Sequence, residues 1–146
     1  MPPEAVLLDD ATLLREFEDG TLPASAFHHR EHVRVAWLYL KSEPPLAALA
    51  RFAEGLKGFA AAQGKAGLYH ETITWAYLLL VHERMGRASA ATFDDFAAKN
   101  PDLLTWSPSV LDRYYRRETL ASDLARRVFV MPDRLEAPMV GSRPEE

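Results

Sequence analysis

The sequence predicts an all-α protein whose core resembles a four-helix bundle, with additional short helices toward the C-terminus. Two observations favour this class: long segments carry apolar residues at helical spacing, and glycine or proline interrupts the chain between them. A third is that no segment shows the polar–apolar alternation of a half-buried strand. The length of 146 residues suits one helical domain, which we expect over residues 1–130. Residues 131–146 are rich in proline, arginine and glutamate, and we expect an extended or disordered tail there.

The first two predicted helices are delimited by capping and breaking residues. Asp9 and Asp10 are suitable N-caps for a helix that runs through Phe17, and Gly20 is suited to end it. The second helix is expected from about His28 to Lys41, because a serine–glutamate–proline–proline stretch follows and stops it.

The third and fourth predicted helices carry most of the apolar residues. The third starts at Pro45 and runs to about Ala62, after which Gly64 and Gly67 interrupt the helical pattern. The fourth begins near Tyr69 and ends at Gly86. Its middle section is apolar almost all round, and a helix without a polar face is expected at the centre of a fold.

Shorter helices are predicted from capping residues in the last third of the chain. Thr92, with Asp95 three residues later, is typical of a helix start. Ser107–Pro108 matches the N-cap and first position of a sixth helix. Ser122 is the predicted cap of a last helix that ends near Val130.

The composition narrows the class of protein. The chain is 48% hydrophobic and 26% charged, and its net charge of −4 gives no reason to expect a nucleic-acid partner. It has no cysteine, which excludes disulfides, thiolate metal ligands and a cysteine nucleophile. The N-terminal segment MPPEAVLLDD lacks the features of a secretory signal, and no apolar run is long enough to span a membrane. We therefore expect a cytoplasmic protein with no membrane partner.

Three of the five histidines lie within five positions at the start of the second helix. With Val33 at the centre of the buried stripe, a rotation of about 100° per residue places His29 within the stripe and His32 at its edge. His28 then points toward solvent. Neutral imidazoles at positions i and i+3 are close enough to bind one metal ion. The positive end of the helix dipole favours the neutral imidazole that metal binding requires.

A further histidine, His70, opens the fourth helix. Because short connections make successive helices antiparallel, helices two and four should run in the same direction, with their first turns at the same end of the bundle. His29, His32 and His70 are thus predicted to hold one divalent ion, zinc or iron, with an open position for catalysis. Glu71 is the candidate catalytic residue, as a general base or as an acceptor for an imidazole N–H. Such a site suits a small metal-dependent hydrolase or oxygenase with a small-molecule substrate.

Two tyrosines and an arginine are the candidate substrate-binding residues. Tyr69 directly precedes His70, and Tyr77 lies on the same stripe of the fourth helix. The Arg113 guanidinium, followed by two tyrosines, is suited to bind a carboxylate or phosphate above the metal. In the competing interpretation, those tyrosines pack the sixth helix onto the bundle and Arg113 belongs to a solvated face.

Three stretches of the chain resemble those of a group of small, uncharacterised bacterial all-helical proteins. They are F-x-H-x-x-H-V-x-V-A-W (Phe27 to Trp37), Y-H-E-T-I-T-W (Tyr69 to Trp75) and R-Y-Y (Arg113 to Tyr115). The shared positions include His29, His32, His70 and Glu71. The resemblance covers most of the chain and groups these stretches, but it implies no particular reaction.

A non-catalytic interaction module is the alternative to a metal enzyme. The histidines would then form a buried structural network, in which His70, for example, is bonded to a backbone carbonyl. Exposed Tyr39 and Trp106, together with the ends of the third helix, would supply an interface for a partner or for a second copy in a homodimer.

Overall fold

The computed structural model describes residues 8–134, and within that range every regular element is a helix. Its α-helices are α1 Asp10–Asp19, α2 His29–Ser42, α3 Pro45–Ala62, α4 Glu71–Arg87, α5 Phe93–Lys99, α6 Arg117–Leu120 and α7 Asp123–Arg127. Short 3-10 helices lie between them at Ala24–Ala26, Ala66–Leu68, Pro101–Leu104 and Val110–Arg113. The all-α class predicted from the sequence is confirmed.

Helices α2, α3 and α4 form the centre of the fold, and each of them packs on the other two. α1 lies against α2 and α3, whereas α5 packs on α2 and α7 packs on α4. Large apolar side chains from these elements are buried together, among them Phe17, Val33, Trp37, Phe52, Leu78 and Phe96. Removal of this apolar surface from water is the main driving force for folding.

The predicted caps of the first helix are confirmed. Asp9 accepts a hydrogen bond of 2.8 Å from the Thr12 N–H, and α1 ends at Gly20, whose φ of 77° suits a residue without a Cβ. At the start of α2, the backbone N–H of His28 donates to Glu31 over 2.8 Å. The side chain of His28 is 69% exposed, as the stripe geometry predicted.

Tyr39 was predicted to be exposed, and that prediction is wrong. Its side chain is only 2% exposed, because α1 and α3 cover this face of α2. The Tyr39 hydroxyl donates a hydrogen bond of 2.6 Å to Glu18, which satisfies the polar end of the ring. Tyr39 is therefore part of the core and does not contribute to the surface proposed for a partner or a second copy.

The predicted start of a sixth helix at Ser107–Pro108 is also wrong. The chain forms turns there, and the next helical element is the 3-10 helix Val110–Arg113. Its cap is Ser109, whose hydroxyl accepts a hydrogen bond of 3.1 Å from the Leu111 N–H. The same hydroxyl lies 2.8 Å from the hydroxyl of Tyr77, so a contact between distant parts of the chain determines which serine serves as the cap.

A buried threonine of α4 fixes the segment that follows α7. The hydroxyl of Thr72 donates to the Val128 carbonyl oxygen over 2.8 Å and accepts from the Val130 N–H over 3.0 Å. Thr72 is fully buried, so these two hydrogen bonds satisfy a hydroxyl that water cannot reach.

The last helix begins where the sequence predicts and ends earlier. Ser122 caps α7, but the helix stops at Arg127 rather than near Val130. Residues 131–134 have no regular secondary structure, but the N–H groups of Asp133 and Arg134 donate to the Tyr114 carbonyl oxygen over 3.1 and 2.9 Å, so the chain stays attached to the fold beyond residue 130. The described residues do not include the rest of the predicted tail, 135–146. They also do not include residues 1–7, which belong to the N-terminal segment that was compared with a secretory signal. In the range that the structure covers, no helix combines the length and the apolar character needed to cross a membrane.

Candidate functional site

A cavity of about 520 Å³ lies between the first turns of α2 and α4 and the inner face of α3. All three histidines predicted as metal ligands, His29, His32 and His70, line it, and so do Tyr69 and Tyr77. The inner face of α3 contributes Phe52, Leu56, Phe59 and Ala60. A cavity of this size, with mostly apolar walls and a few polar groups, is typical of a small-molecule binding site.

His29 is the first residue of α2 and forms one edge of the cavity. Its Nε2 donates a hydrogen bond of 2.8 Å to the Leu103 carbonyl oxygen, and its ring centroid lies 5.0 Å from that of Tyr77. Burial lowers the pKa of His29 below 6.5, although the hydrogen bond to Leu103 opposes the shift. The ring is thus neutral near pH 7, with its proton on Nε2 and a lone pair on Nδ1.

His32 lies one turn further along α2 and also lines the cavity. The ring of Phe27 packs against it at a right angle, with the two centroids 4.1 Å apart. Burial is the main cause that lowers the pKa of His32 to about 4, and His29 and His28 add to it by repulsion. Within residues 8–134, neither ring nitrogen of His32 forms a hydrogen bond with the protein. The cavity therefore contains a neutral imidazole whose donor and acceptor are both available to a ligand.

His70 is bonded at both ring nitrogens. As the N-cap of α4, it accepts a hydrogen bond of 3.1 Å from the Ile73 N–H through Nδ1. Its Nε2 donates to the Leu120 carbonyl oxygen over 2.7 Å. Burial lowers the pKa of His70, so the neutral ring needed for both hydrogen bonds is the stable form near pH 7. The hydrogen bond to a backbone carbonyl is the one expected for His70 in the non-catalytic alternative, where the histidines form a structural network.

The three imidazoles share one cavity, but they are oriented by different partners. His29 points its N–H at Leu103 and His70 points its N–H at Leu120, two carbonyls on separate segments. Among residues 8–134, no group of three or more histidine, aspartate or glutamate side chains is arranged to hold a metal ion. The predicted divalent zinc or iron site therefore stays a prediction. For His70 to bind a metal, its ring would first have to give up one of its present hydrogen bonds.

The predicted catalytic residue, Glu71, serves a neighbouring tyrosine. Its Oε1 accepts a hydrogen bond of 2.7 Å from the Tyr69 hydroxyl, and Glu71 is not among the side chains that line the cavity. Burial raises the pKa values of Tyr69 and Tyr77, so both phenols are neutral and present aromatic rings to the cavity. In this structure Glu71 therefore fixes the hydroxyl of Tyr69, and the catalytic role predicted for Glu71 stays a prediction.

Arg113, predicted to bind substrate, lies away from the cavity. Its Nη1 donates to Asp102 over 3.1 Å, and its side chain is 53% exposed. Asp102 also accepts two hydrogen bonds, of 2.9 and 2.8 Å, from Arg84 of α4. This placement matches the competing interpretation, in which Arg113 belongs to a solvated face.

The cavity lining that the sequence did not indicate includes two cations, Lys65 and Arg126, and the aromatic residue Trp106. Trp106 is 52% exposed, yet its ring centroid lies 5.1 Å from that of His29. A large aromatic residue in a polar loop is a usable signal for such a position, because it is otherwise expected in the core. No such signal marks Lys65 or Arg126. The two residues lie far apart in the sequence, which does not indicate that they line the same cavity.

Comparison of the chain with models of protein families, with curated proteins and with solved structures finds no match in any of the three. The resemblance noted from the sequence stays a prediction. The function of the chain is therefore inferred from the geometry of the cavity.

Proposed function

We propose that the protein binds a small, largely apolar organic molecule in the histidine-lined cavity. The volume of about 520 Å³ and the apolar walls support this function. The depressed pKa values of His29, His32 and His70 support it further, because all three imidazoles are neutral near pH 7 and an apolar ligand does not have to desolvate a histidine charge.

The observation that carries the proposal is the imidazole of His32. His32 is only partly exposed, and a polar group that is largely withdrawn from water without a partner costs up to about 1–3 kcal/mol, so a native protein keeps one where a ligand or an ordered water supplies the missing bond. His32 lines the cavity and has no protein partner for its ring nitrogens in the described part of the chain. A carbonyl, hydroxyl or amide on the ligand would provide that partner.

The test is the binding of a neutral aromatic probe, 1-aminoanthracene, followed by its fluorescence. The parent protein is expected to bind one probe per chain. Ala60→Trp fills the cavity from α3 and should weaken binding about tenfold or more, equivalent to about 1.4 kcal/mol. Ala61→Trp is the matched control, because Ala61 is exposed and does not line the cavity.

Two results would contradict the proposal. One is that the parent protein does not bind the probe, and the other is that Ala60→Trp and Ala61→Trp bind it equally well. Thermal unfolding of both variants establishes that a loss of binding does not reflect a loss of fold. In the parent protein Trp106 supplies a second readout, since bound probe should reduce iodide quenching of its half-exposed ring. Trp37 is buried, and the partly buried Trp75 stacks on Phe129 and does not line the cavity.

A metal-dependent activity is the second candidate function. The observation that favours it is that His29 and His32 lie one turn apart on one cavity wall and that Nδ1 of His29 retains its lone pair. The test is elemental analysis of protein purified without an affinity tag, together with His29→Ala and His70→Ala. Near-stoichiometric zinc or iron that is lost in both variants would support the metal site. Absence of metal, with an unchanged Tm after zinc or iron is added, would remove this candidate.

A further inference from the structure

The charged groups on the cavity wall have one sign. Lys65 and Arg126 line the cavity, and none of the described residues that line it is an aspartate or a glutamate. The whole chain has an excess of acidic residues, with a net charge of −4. The positive charge at the cavity is therefore a local feature that the overall composition does not produce.

The segments that carry the two cations are in contact. Arg126 of α7 donates a hydrogen bond of 3.3 Å to the carbonyl oxygen of Gly67. Gly67 belongs to the 3-10 helix Ala66–Leu68, which begins directly after Lys65. Arg126 is thus held beside the segment that carries Lys65, and both residues line the cavity.

The pairing of Arg126 differs from that of its neighbour in sequence. Arg127 forms an ion pair with Asp123 at 2.7 Å. Arg126, in contrast, has no carboxylate partner among residues 8–134, and its protein contact is a long hydrogen bond to a neutral carbonyl. A guanidinium has several donors, so most of those on Arg126 remain available for an anion.

We infer that the ligand of this cavity is an amphipathic organic anion, an apolar body that carries one carboxylate. The apolar body would lie against Phe52, Leu56 and Phe59, and the carboxylate would lie at the rim between Lys65 and Arg126. The apolar wall would remove the apolar body of the ligand from water, which is favourable. The rim is partly exposed, so the carboxylate would keep part of its hydration there. The inference rests on the proposed function, because it specifies the ligand class of the same cavity.

Three probes of equal chain length separate the charge requirement from apolar burial: octanoate, 1-octanol and octylamine. Each is titrated against the complex of the protein with 1-aminoanthracene, and displacement of the fluorescent probe is measured. Octanoate is expected to bind about ten- to a hundredfold more tightly than either of the others, the range of one charge-assisted hydrogen bond. Added salt should weaken octanoate binding and leave 1-octanol binding unchanged.

Variants at the rim test the assignment of residues. Lys65→Gln and Arg126→Gln should each reduce octanoate affinity toward that of 1-octanol, without a change in 1-octanol affinity. Arg127→Gln is the matched control, because Arg127 is the next residue, carries the same charge and does not line the cavity. A loss of octanoate affinity in Arg127→Gln equal to that in Arg126→Gln would overturn the assignment.

The failure of this inference is distinguishable from that of the proposed function. If the three probes bind equally well, or if octylamine binds most tightly, the anion preference is overturned and the cavity remains a site for apolar molecules. If 1-aminoanthracene binds but octanoate does not displace it, the inference alone is overturned. If 1-aminoanthracene itself does not bind, the proposed function is overturned and the inference with it.

Discussion

Gly55 of α3 lies so close to Phe17 of α1 that a methyl group at position 55 would overlap carbon atoms of the aromatic ring. The absence of a side chain at this position lets the two helices approach and buries Phe17 almost completely. Close packing of this kind explains why α3, which also forms a wall of the cavity, has a defined position relative to α1.

Gly55→Ala is therefore expected to be destabilising, even though alanine favours a helix more than glycine does. The overlap with Phe17 should lower the free energy of unfolding by about 1–3 kcal/mol, as measured by urea denaturation. Gly58→Ala in the same helix is the control, since nothing lies within 4 Å of a Cβ there, and it should raise stability by up to about 1 kcal/mol. Equal stability of the two variants would show that Phe17 adapts without cost.

Substitutions of His70 should separate its two hydrogen bonds. His70→Asn retains an acceptor for the Ile73 N–H but is too short to reach Leu120, and it should cost about 1 kcal/mol. His70→Ala loses the cap as well and should cost about 1 kcal/mol more. The free energy of unfolding, measured by chemical denaturation, should decrease from the parent protein to the Asn variant and again to the Ala variant. If the Asn and Ala variants are equally stable, the ring does not act as a cap.

Thr72→Val should destabilise the attachment of the last described segment. Valine has nearly the shape of threonine but leaves the Val128 carbonyl and the Val130 N–H without their partner, which costs about 1–3 kcal/mol. Thr72→Ser restores the hydroxyl and should recover part of that loss. Hydrogen exchange at the Val130 amide is the direct measurement, and unchanged protection in Thr72→Val would contradict the assigned bond.

The pairing of Asp102 with Arg84 predicts a specific response to acid. Hydrogen bonds from Arg84 hold the pKa of Asp102 at about 2, below its ordinary value of 3.8. The unfolded chain consequently binds this proton more readily, so the stabilisation is complete above about pH 4 and is lost as the pH falls through about 2. Asp102→Asn should be less stable near neutral pH and should show a smaller loss of stability between about pH 5 and about pH 3.

Asp94→Asn provides the control for that experiment. Asp94 also pairs with an arginine, Arg30, but its side chain is 89% exposed, and exposed ion pairs contribute little to stability. The free energy of unfolding of Asp94→Asn should therefore change with pH in the same way as that of the parent protein. If Asp102→Asn also follows the parent, the pair with Arg84 does not stabilise the fold.

The elements that local chemistry determines were predicted well from the sequence. α3 has the bounds expected for it, 45–62, because proline suits the first helical turn and glycines follow its end. The common location of His29 and His70 also followed from local rules, since helix direction and connection length place the two first turns at one cavity.

The hydrogen-bond partners of the histidines were not predictable in the same way. His29 and His70 donate to the carbonyl oxygens of Leu103 and Leu120, and every residue has such a carbonyl, so the sequence does not mark which one is used. Arg113 shows the same difficulty, because its pairing with Asp102 depends on the path of the chain between the short helices. The short helix α6 was missed since four residues carry too little periodicity to be recognised.

The carbonyls of Leu103 and Leu120 and the ring of Trp106 all belong to the last third of the chain, whereas the histidines that they contact lie in the first half. During synthesis from the N-terminus, α1 to α4 thus emerge before the residues that orient these imidazoles. A nascent chain shorter than about 120 residues has the apolar wall of α3 but lacks the acceptor for His70. The orientation of these two imidazoles therefore depends on segments that are synthesised after all three central helices.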